Sequence, residues 1–434
     1  MNAGITLMSK WQEFYDTVKA DNWPACPTEL DFHNLPTEIK KECIDRFKYV
    51  PGRFSIIDQL VKNKAFCIMP FIHLYINEFN QTGPCCLGTP IKTYIQDFDF
   101  YTDKDFNNIR QLMQNGNRVK ECRACYTLED HGVDSSRIFN TTNWAIKLQT
   151  TNINEIETKL RYYDIRNDNL CNLACRTCHP GASTQLEKEY KELNWKFKPN
   201  STNFKFSETV DYDTVESVYI AGGEPTLMPE FTKFLTTAIE KNRTDIELKI
   251  ITNATNVNKN ILNLLTKFKN ISFTLSLDGY GSVNRYIRWP SDWDTIVKNI
   301  KKLKSITSNI NVNVTVSIYN ITKLYDLVCF LELALPYPPT ILLNQASGKY
   351  NIPFNFPNKD LAVSRLELLK NTKSYHKEPF FKEKVDYFIA MINSSVIDKK
   401  NLAGFFQYTD ALDDLRGIKL VDYIPELDEC RRYL

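Results

Sequence analysis

The feature that most constrains the fold is a sixfold alternation between short apolar segments and segments with helical periodicity. The apolar segments read as strands, at residues 160–166, 215–221, 246–251, 271–277, 312–318 and 340–344. Between them apolar residues recur at helical spacing, as in residues 231–239. Strands that alternate with helices form a parallel sheet with right-handed crossovers. Because a closed barrel has eight such units, we expect an open, partial (βα)6 barrel of the α/β class.

Polar residues gather at the ends of the first four predicted strands. Three cysteines follow the first strand, the run Gly-Gly-Glu-Pro at 222–225 follows the second, and Thr252 follows the third. Ser276 lies at the end of the fourth. Parallel βα barrels carry their active sites at the carboxyl-terminal edge of the sheet. The pattern therefore predicts a functional site at this edge.

The remaining chain divides into regions of different character. Residues 1–60 have a mostly helical pattern, and residues 61–150 form a loop-rich module with its own cysteines. The predicted barrel occupies residues 155–346, and residues 347–434 form a helical carboxyl-terminal extension. We expect the small cysteine module to be held together by something other than a large apolar core.

Charge and cysteine content narrow the class of protein. Lys and Arg number 54 and Asp and Glu number 52 in 434 residues, a net charge of +2 that argues against a nucleic-acid-coating protein. No apolar run reaches the ~20 residues that span a bilayer, and the first residues lack a secretory signal pattern. We therefore expect a cytoplasmic protein without a membrane partner. Since cytosolic thiols stay reduced, the 12 cysteines indicate metal, cluster or catalytic roles rather than disulfides.

The tightest cysteine group is Cys171, Cys175 and Cys178, directly after the first predicted strand. Three thiolates from one loop fit a [4Fe–4S] cluster with one iron left without a protein ligand. The alternative is a zinc site with His179 as the fourth ligand. The position of the group, first among the polar strand ends, favours the cluster.

Together the cysteine triad, the Gly-Gly-Glu-Pro run and the six βα units resemble the radical S-adenosylmethionine (radical SAM) superfamily, over roughly residues 161–347. The resemblance implies a partial radical SAM barrel whose three cysteines hold the cluster. It also implies that S-adenosylmethionine chelates the fourth iron and is cleaved reductively to a 5′-deoxyadenosyl radical, which takes a hydrogen atom from the substrate. In such enzymes the cofactors carry the difficult chemistry, and the protein orients them.

The resemblance further implies a set of residues that contact S-adenosylmethionine, namely Gly222, Gly223, Glu224, Pro225, Thr252, Ser276 and Arg288. The Gly-Gly-Glu-Pro run matches the family segment at the methionine amino group. Thr252 and Ser276 match ribose-contacting or nearby polar groups, and Arg288 matches an arginine that some relatives place on the methionine carboxylate. A plain strand-to-helix turn, strand-end hydroxyl caps and a surface arginine remain the structural alternatives. The chain departs from the family at Thr177, where relatives carry an aromatic residue near the adenine.

A second cysteine group precedes the barrel. Cys122 and Cys125 form a Cys-x-x-Cys pair, and Cys67 with one of Cys85 or Cys86 would complete four ligands. This group resembles the auxiliary-cluster modules of the SPASM/twitch subgroup, although in those relatives the module usually follows the barrel. A structural zinc that staples the module is the alternative.

These features predict a radical SAM enzyme with a probable auxiliary iron–sulfur cluster that acts on a peptide or protein. An enzyme acting on a small metabolite such as a sugar or nucleoside is the first alternative, and a non-catalytic zinc-binding scaffold is the second. The resemblance implies flavodoxin or ferredoxin as the electron donor. The sequence assigns no catalytic side chain, and it does not distinguish an oxidation from a crosslink or an epimerisation.

Overall fold

A computed structural model describes residues 53–91, 94–131, 135–166, 168–200, 204–335, 339–348 and 353–434. The chain divides into two compact units, one of Met1–Asp164 with Asp213–Val215 and one of Ile165–Tyr212 with Glu216–Leu434. Most of the predicted helical region at residues 1–60 lies outside the described residues, as do Cys26 and Cys43.

Short helices separated by loops make up the first unit. The helices are α1 (Arg53–Lys62), α2 (Met69–Ile72), α3 (Lys104–Gln114), α4 (Arg123–Asp130) and α5 (Ser136–Lys147). The strands are β1 (His73–Ile76) and β2 (Thr82–Gly83), which form an antiparallel hairpin, and β3 (Tyr162–Ile165), which ends where the second unit begins.

Side-chain caps fix where two of these helices begin. Asp103 accepts a hydrogen bond from the Phe106 N–H at the start of α3, and Ser135 accepts one from the Arg137 N–H at the start of α5. Such caps satisfy backbone donors that the first helical turn leaves without a partner.

A parallel sheet forms the centre of the second unit. Its strands are β5 (Ser217–Ile220), β6 (Glu247–Thr252), β7 (Ile271–Ser276), β9 (Ile310–Val316) and β10 (Thr340–Gln345), and a separate antiparallel ladder joins β4 (Ala174–Cys175) to β8 (Arg288–Trp289). The parallel strands lie in the order β10, β9, β7, β6, β5. The Ile165 carbonyl at the end of β3 accepts a hydrogen bond from the Ala221 N–H just after β5. All six predicted strands are present within two residues of their predicted bounds.

Helices connect these strands. They are α6 (Thr184–Glu192), α7 (Phe206–Thr209), α8 (Pro229–Glu240), α9 (Lys259–Leu265), α10 (Ser282–Ile287), α11 (Trp293–Lys304) and α12 (Leu324–Ala334). The apolar stripe predicted for α8 is buried, since Phe231, Phe234 and Leu235 have no exposed surface. The mixed α/β fold and its parallel sheet are confirmed.

The carboxyl-terminal extension is helical, as predicted. Its helices are α13 (Lys359–Glu367), α14 (Lys373–Lys377), α15 (Pro379–Ser394), α16 (Lys399–Arg416) and α17 (Pro425–Asp428). Helix α15 packs against the edge strand β10. Helix α16 ends at Gly417, whose φ of 64° lies in the left-handed region that favours glycine. Within the described ranges, no helix combines the length and the apolar character that crossing a membrane requires.

Candidate functional site

The structure brings the three cysteines of the predicted triad together. Cys171 and Cys175 are buried in one cluster with Leu173, and the half-exposed Cys178 packs against that cluster. Burial raises the pKa of the Cys171 thiol to about 12, and the nearby Glu224 and Cys178 add to the shift. Thiolates at such a site are stabilised by a bound cation, as iron or zinc provides.

Two glycines allow the backbone before the triad to lie against the end of β5. The Gly223 N–H donates to the Asp168 carbonyl at 2.7 Å, and the Glu224 N–H donates to the Leu170 carbonyl at 2.8 Å. A Cβ on Gly223 would lie 2.3 Å from the Leu170 carbonyl oxygen, and Gly222 has a φ of +107°. These positions require glycine because the cysteine loop approaches them closely.

Glu224 is a buried carboxylate that joins the ends of β5 and β6. It accepts hydrogen bonds from the hydroxyls of Thr226 and Thr252, both at 2.7 Å, and from the Asn253 N–H at 2.7 Å. Burial raises the pKa of Glu224, and these hydrogen bonds oppose the shift without cancelling it. Pro225 opens the short 3-10 turn that follows. Thr252, predicted as a polar group near the ribose, therefore donates its hydroxyl to Glu224.

Asn253 is a site residue that the sequence reasoning missed. Its side-chain nitrogen lies 3.9 Å from the Cys171 sulfur and 3.1 Å from the Asn172 amide oxygen. Its own amide oxygen accepts hydrogen bonds from the N–H and the hydroxyl of Thr255, at 2.9 and 2.6 Å. The strand-end rule that selected Thr252 would have found its neighbour too, because both lie at the end of β6.

Arg288 lies beside the triad. The alternative that it is a surface arginine is wrong, because its side chain is only 12% exposed. The β4–β8 ladder pairs Arg288 with Cys175, and the Arg288 Nη1 lies 4.0 Å from the Cys175 sulfur. The Arg288 Nε lies 2.8 Å from Oδ2 of Asp278, a residue with no exposed surface. Burial by itself lowers the pKa of Arg288, but the charges of Asp278 and Cys175 outweigh it, so the pKa is raised. Arg288 is therefore a charged member of a buried ion pair.

Ser276 occupies the same edge of the sheet. It is the last residue of β7, lies opposite Asn313 of β9 and is buried. Thr177, the departure from the family pattern, lies in the triad loop and is half-buried.

Contacts between helix α16 and the triad loop were not predicted from the sequence. Arg176, between two of the cysteines, is fully buried, forms an ion pair with Asp413 and donates from Nε to the Tyr286 carbonyl at 2.9 Å. From the same helix, the Tyr408 hydroxyl donates to the Arg176 carbonyl at 3.2 Å, and Arg416 donates to the Ala174 carbonyl at 2.7 Å. The three contacts with α16 join residues more than 200 positions apart, which no local pattern reveals.

Four cysteines of the first unit line a single small cavity, and they are Cys67, Cys85, Cys122 and Cys125. Cys86 is exposed, so the structure selects Cys85 as the member of that adjacent pair that faces the other thiols. Burial raises the pKa of the Cys67 thiol to about 12.

Arg137 also lines this cavity, and its charge is balanced by Glu129 at 2.6 Å. Across the described residues, no three or more His, Cys, Asp or Glu side chains are spaced to enclose one metal ion.

Comparison with known proteins gives one family match. Residues 169–326 match the model of the radical SAM superfamily. No curated protein sequence matches the chain.

Several solved structures are similar at low identity. The Streptococcus suis protein SuiB bound to S-adenosylmethionine shares 18% identity over 64% of this chain and 63% of its own, with a TM-score of 0.34. The protein anSMEcpe with bound AdoMet shares 18% identity over 52% of this chain and 62% of its own, with a TM-score of 0.36. SuiB bound to its precursor peptide SuiA shares 16% identity over 74% and 69%, with a TM-score of 0.35. The chain thus spans a little over three-fifths of the first two of these proteins.

Proposed function

Because residues 169–326 match the radical SAM superfamily model, we propose that this chain is an enzyme of that superfamily that cleaves S-adenosylmethionine reductively at a [4Fe–4S] cluster. The observation that carries the proposal is the convergence of three buried or half-buried thiols directly after β3. When bound, the cluster and its sulfonium ligand supply a one-electron cleavage that leads to hydrogen-atom abstraction.

The second unit offers the donors that such a cluster takes, three thiols packed together in one loop. The thiols of a [4Fe–4S] cluster bind different irons, so they need not enclose a single metal ion. Cys171, Cys175 and Cys178 would hold three irons and leave the fourth without a protein ligand. Cys171 and Cys175 are buried, so they would keep water away from a cluster bound there. Arg288 and Asn253 place a positive charge and an amide nitrogen near the sulfurs, which favours thiolate over thiol.

Contacts to S-adenosylmethionine are proposed for the polar residues at the same edge of the sheet, and these are Gly222, Gly223, Glu224, Pro225, Thr252, Ser276 and Arg288. Among the described residues, Oε1 of Glu224 accepts from the Thr226 N–H and from the hydroxyls of Thr226 and Thr252, whereas Oε2 accepts from the Asn253 N–H. Because one carboxylate oxygen offers about two acceptor sites, Oε2 retains capacity for an ammonium group.

For the first unit we propose an auxiliary iron–sulfur cluster on Cys67, Cys85, Cys122 and Cys125. A cluster with four thiolate ligands has no open iron, so it would carry electrons rather than bind substrate. Zinc is the competing occupant, and it requires all four sulfurs within about 2.3 Å of one point. The resemblance to SPASM/twitch modules supports iron–sulfur chemistry, although this module precedes the barrel.

A peptide or protein is the proposed substrate, because auxiliary modules of this kind are common among relatives that modify peptides. A small metabolite such as a sugar or nucleoside is the second candidate. Flavodoxin or ferredoxin is the proposed electron donor. The proposed compartment is the cytoplasm, where reducing conditions keep cysteine thiols available as ligands.

Anaerobic purification followed by a cleavage assay tests the proposal. The wild-type protein should be brown and should convert S-adenosylmethionine to 5′-deoxyadenosine under a strong reductant. Cys175→Ala should abolish that product, whereas Cys329→Ala, a change at a half-buried cysteine of α12, should leave it unchanged. A colourless wild-type protein with stoichiometric zinc and no cleavage would establish the scaffold alternative instead.

A further inference from the structure

We propose that Arg288 and Asp278, two opposite charges beside Cys175, tune the reduction potential of the cluster held by the triad, and that Asn253 acts on the Cys171 thiol. The inference rests on the proposed function, because it assumes that iron binds at Cys171, Cys175 and Cys178. It assigns these three residues a role in tuning the cluster, which for Arg288 is additional to the proposed contact with S-adenosylmethionine.

Backbone pairing fixes the position of Arg288. Strands β4 and β8 pair so that Arg288 lies opposite Cys175, and the Arg176 N–H donates to the Ile287 carbonyl at 2.8 Å beside this pair. This backbone pairing brings the Arg288 guanidinium next to the Cys175 sulfur, which lies 4.0 Å from Nη1. Its side chain is only 12% exposed, so solvent screens this charge weakly.

Asp278 is held in place by partners other than Arg288. Its Oδ1 accepts a hydrogen bond from the Thr315 N–H of β9 at 2.7 Å, and its backbone N–H donates to the Asn284 side chain at 3.0 Å. Its carbonyl accepts from the Asn320 side chain at 2.8 Å. Its Oδ2 lies 2.8 Å from the Arg288 Nε. The negative charge is therefore fixed behind the guanidinium and partly offsets it at the sulfur.

Asn253 is likewise held in a fixed orientation, beside the Cys171 thiol. Its amide oxygen is occupied by two hydrogen bonds from Thr255, so its amide nitrogen faces Cys171 and Asn172. A donor to a ligating sulfur stabilises the more negative, reduced form of an iron–sulfur cluster.

The physical consequence is a pair of effects with opposite signs. Reduction adds one electron to the cluster, and a nearby cation stabilises that added charge while a nearby anion destabilises it. Removal of the Arg288 charge should therefore make the cluster harder to reduce. Removal of the Asp278 charge should make it easier. Loss of structural support alone does not produce opposite shifts from the two halves of one ion pair.

The test is a redox titration of the full chain, reconstituted anaerobically with iron and sulfide and followed by electron paramagnetic resonance without S-adenosylmethionine. At the wild-type midpoint, Arg288→Gln should lower the ratio of reduced to oxidised cluster by about tenfold, equivalent to ~1.4 kcal/mol. Asp278→Asn should raise that ratio, and Arg288→Lys should keep it close to wild type. Asn253→Asp, which keeps the acceptor for Thr255, should lower it without disturbing the ion pair.

Arg285→Gln is the matched control, because Arg285 is exposed on α10 and carries the same charge three residues earlier. It should leave the midpoint unchanged. Equal midpoints in all iron-loaded variants, or shifts of one sign for both Arg288→Gln and Asp278→Asn, would overturn the inference. If Arg288→Gln and Asp278→Asn fail to bind iron, the Asn253→Asp variant provides the test. A ratio of reduced to oxidised cluster that is unchanged or raised in Asn253→Asp would then overturn the inference. A wild-type protein that binds no iron would refute the proposed function itself, which is a different result.

Discussion

Gly223 lies so close to the triad loop that there is no room for a side chain at this position. Its N–H and the Glu224 N–H donate to the carbonyls of Asp168 and Leu170, which immediately precede Cys171. The Leu170 carbonyl oxygen would lie 2.3 Å from any Cβ at position 223. The backbone of the loop thus occupies the volume that a side chain would need, and this close contact makes the loop part of the β5 edge.

We predict that Gly223→Ala destabilises the protein by ~1–3 kcal/mol, because the loop must move to relieve the overlap. It should also reduce iron bound by the triad, since Cys171 follows the displaced segment. Gly281→Ala is the control: Gly281 has a φ of +58° and no neighbouring atom within 4 Å of a Cβ. Backbone strain alone should lower the free energy of unfolding of Gly281→Ala by ~1 kcal/mol. This control should bind as much iron as the wild type. Urea unfolding and iron analysis under anaerobic conditions measure both effects, and equal iron in the two variants would contradict the prediction.

The position of a candidate residue at the sheet edge was predictable where it follows a strand-end rule. The triad cysteines, Thr252 and Ser276 were placed at this edge because each lies at or just after a recognisable strand. Arg288 was selected by resemblance, but its ion pair with Asp278 was not expected. A charge pair of this kind depends on the distance between two side chains, and a linear pattern carries no such distance.

At the scale of elements, helix α16 presents two Asp–Arg pairs in contrasting surroundings. Asp413 pairs with Arg176, and the two side chains are 6% and 0% exposed. Asp410 pairs with Arg431, and these are 48% and 37% exposed. Removal of the carboxylate charge should therefore lower the free energy of unfolding more at position 413 than at position 410. A buried charge that loses its partner is costly, whereas an exposed one is solvated.

Asp413→Asn should lower the free energy of unfolding by ~3–5 kcal/mol, because it leaves the buried Arg176 guanidinium without a counter-charge. Asp410→Asn on the same helix should cost less than about 1 kcal/mol. Denaturant unfolding of both iron-free variants measures the difference. Similar costs for the two substitutions would mean that α16 does not hold the triad loop through this ion pair.

Helix α17 is joined to the residues before α12 by an ion pair that should depend on pH. Glu426 lies 2.7 Å from the Lys323 ammonium and accepts a hydrogen bond from the Thr322 hydroxyl at 2.8 Å. Burial by itself raises the pKa of Glu426, but the hydrogen bonds and the charge of Lys323 outweigh it, so the pKa is lowered. A carboxyl with a lowered pKa in the folded state stabilises the protein above its unfolded pKa and loses this effect as the pH falls through the folded value.

Glu426→Gln should therefore lower the free energy of unfolding by ~1 kcal/mol at pH 7. The difference from wild type should shrink as the pH falls below about 4.3, the usual pKa of a glutamic acid. Unfolding curves of both proteins at a series of pH values provide the measurement. A difference that stays constant into the acid range would show that the carboxylate charge contributes nothing.

Strands of four or more residues in the parallel sheet were predictable, and the two-residue strands were not. Segments rich in apolar residues located the six predicted strands, and some of them, such as β9, alternate apolar with polar residues because one face of the strand is buried. The β4–β8 ladder has two residues on each side, too few for any periodicity, and it joins positions 113 residues apart. Yet this ladder aligns Arg288 with Cys175. The contacts that position the site residues are therefore those that the hydrophobic pattern of the sequence does not predict.

At the scale of the whole molecule, each compact unit contains its own set of converging cysteines. The first unit holds Cys67, Cys85, Cys122 and Cys125, and the second holds the triad. The two sets share no ligand. Effects of substitutions at sites without shared partners usually add, so we expect the two sites to bind iron independently.

The wild-type protein should accordingly bind about eight irons per chain, as two [4Fe–4S] clusters. Cys122→Ala combined with Cys125→Ala should remove about half of the iron and leave the triad cluster spectrum intact, whereas Cys175→Ala should remove the other half. Cys86→Ala should change neither, because Cys86 is exposed beside the selected Cys85. Iron and zinc analysis of each variant distinguishes the occupants, since loss of zinc with unchanged iron in the double variant would assign the first site to zinc. Loss of all iron from either variant would show instead that the two sites load as one.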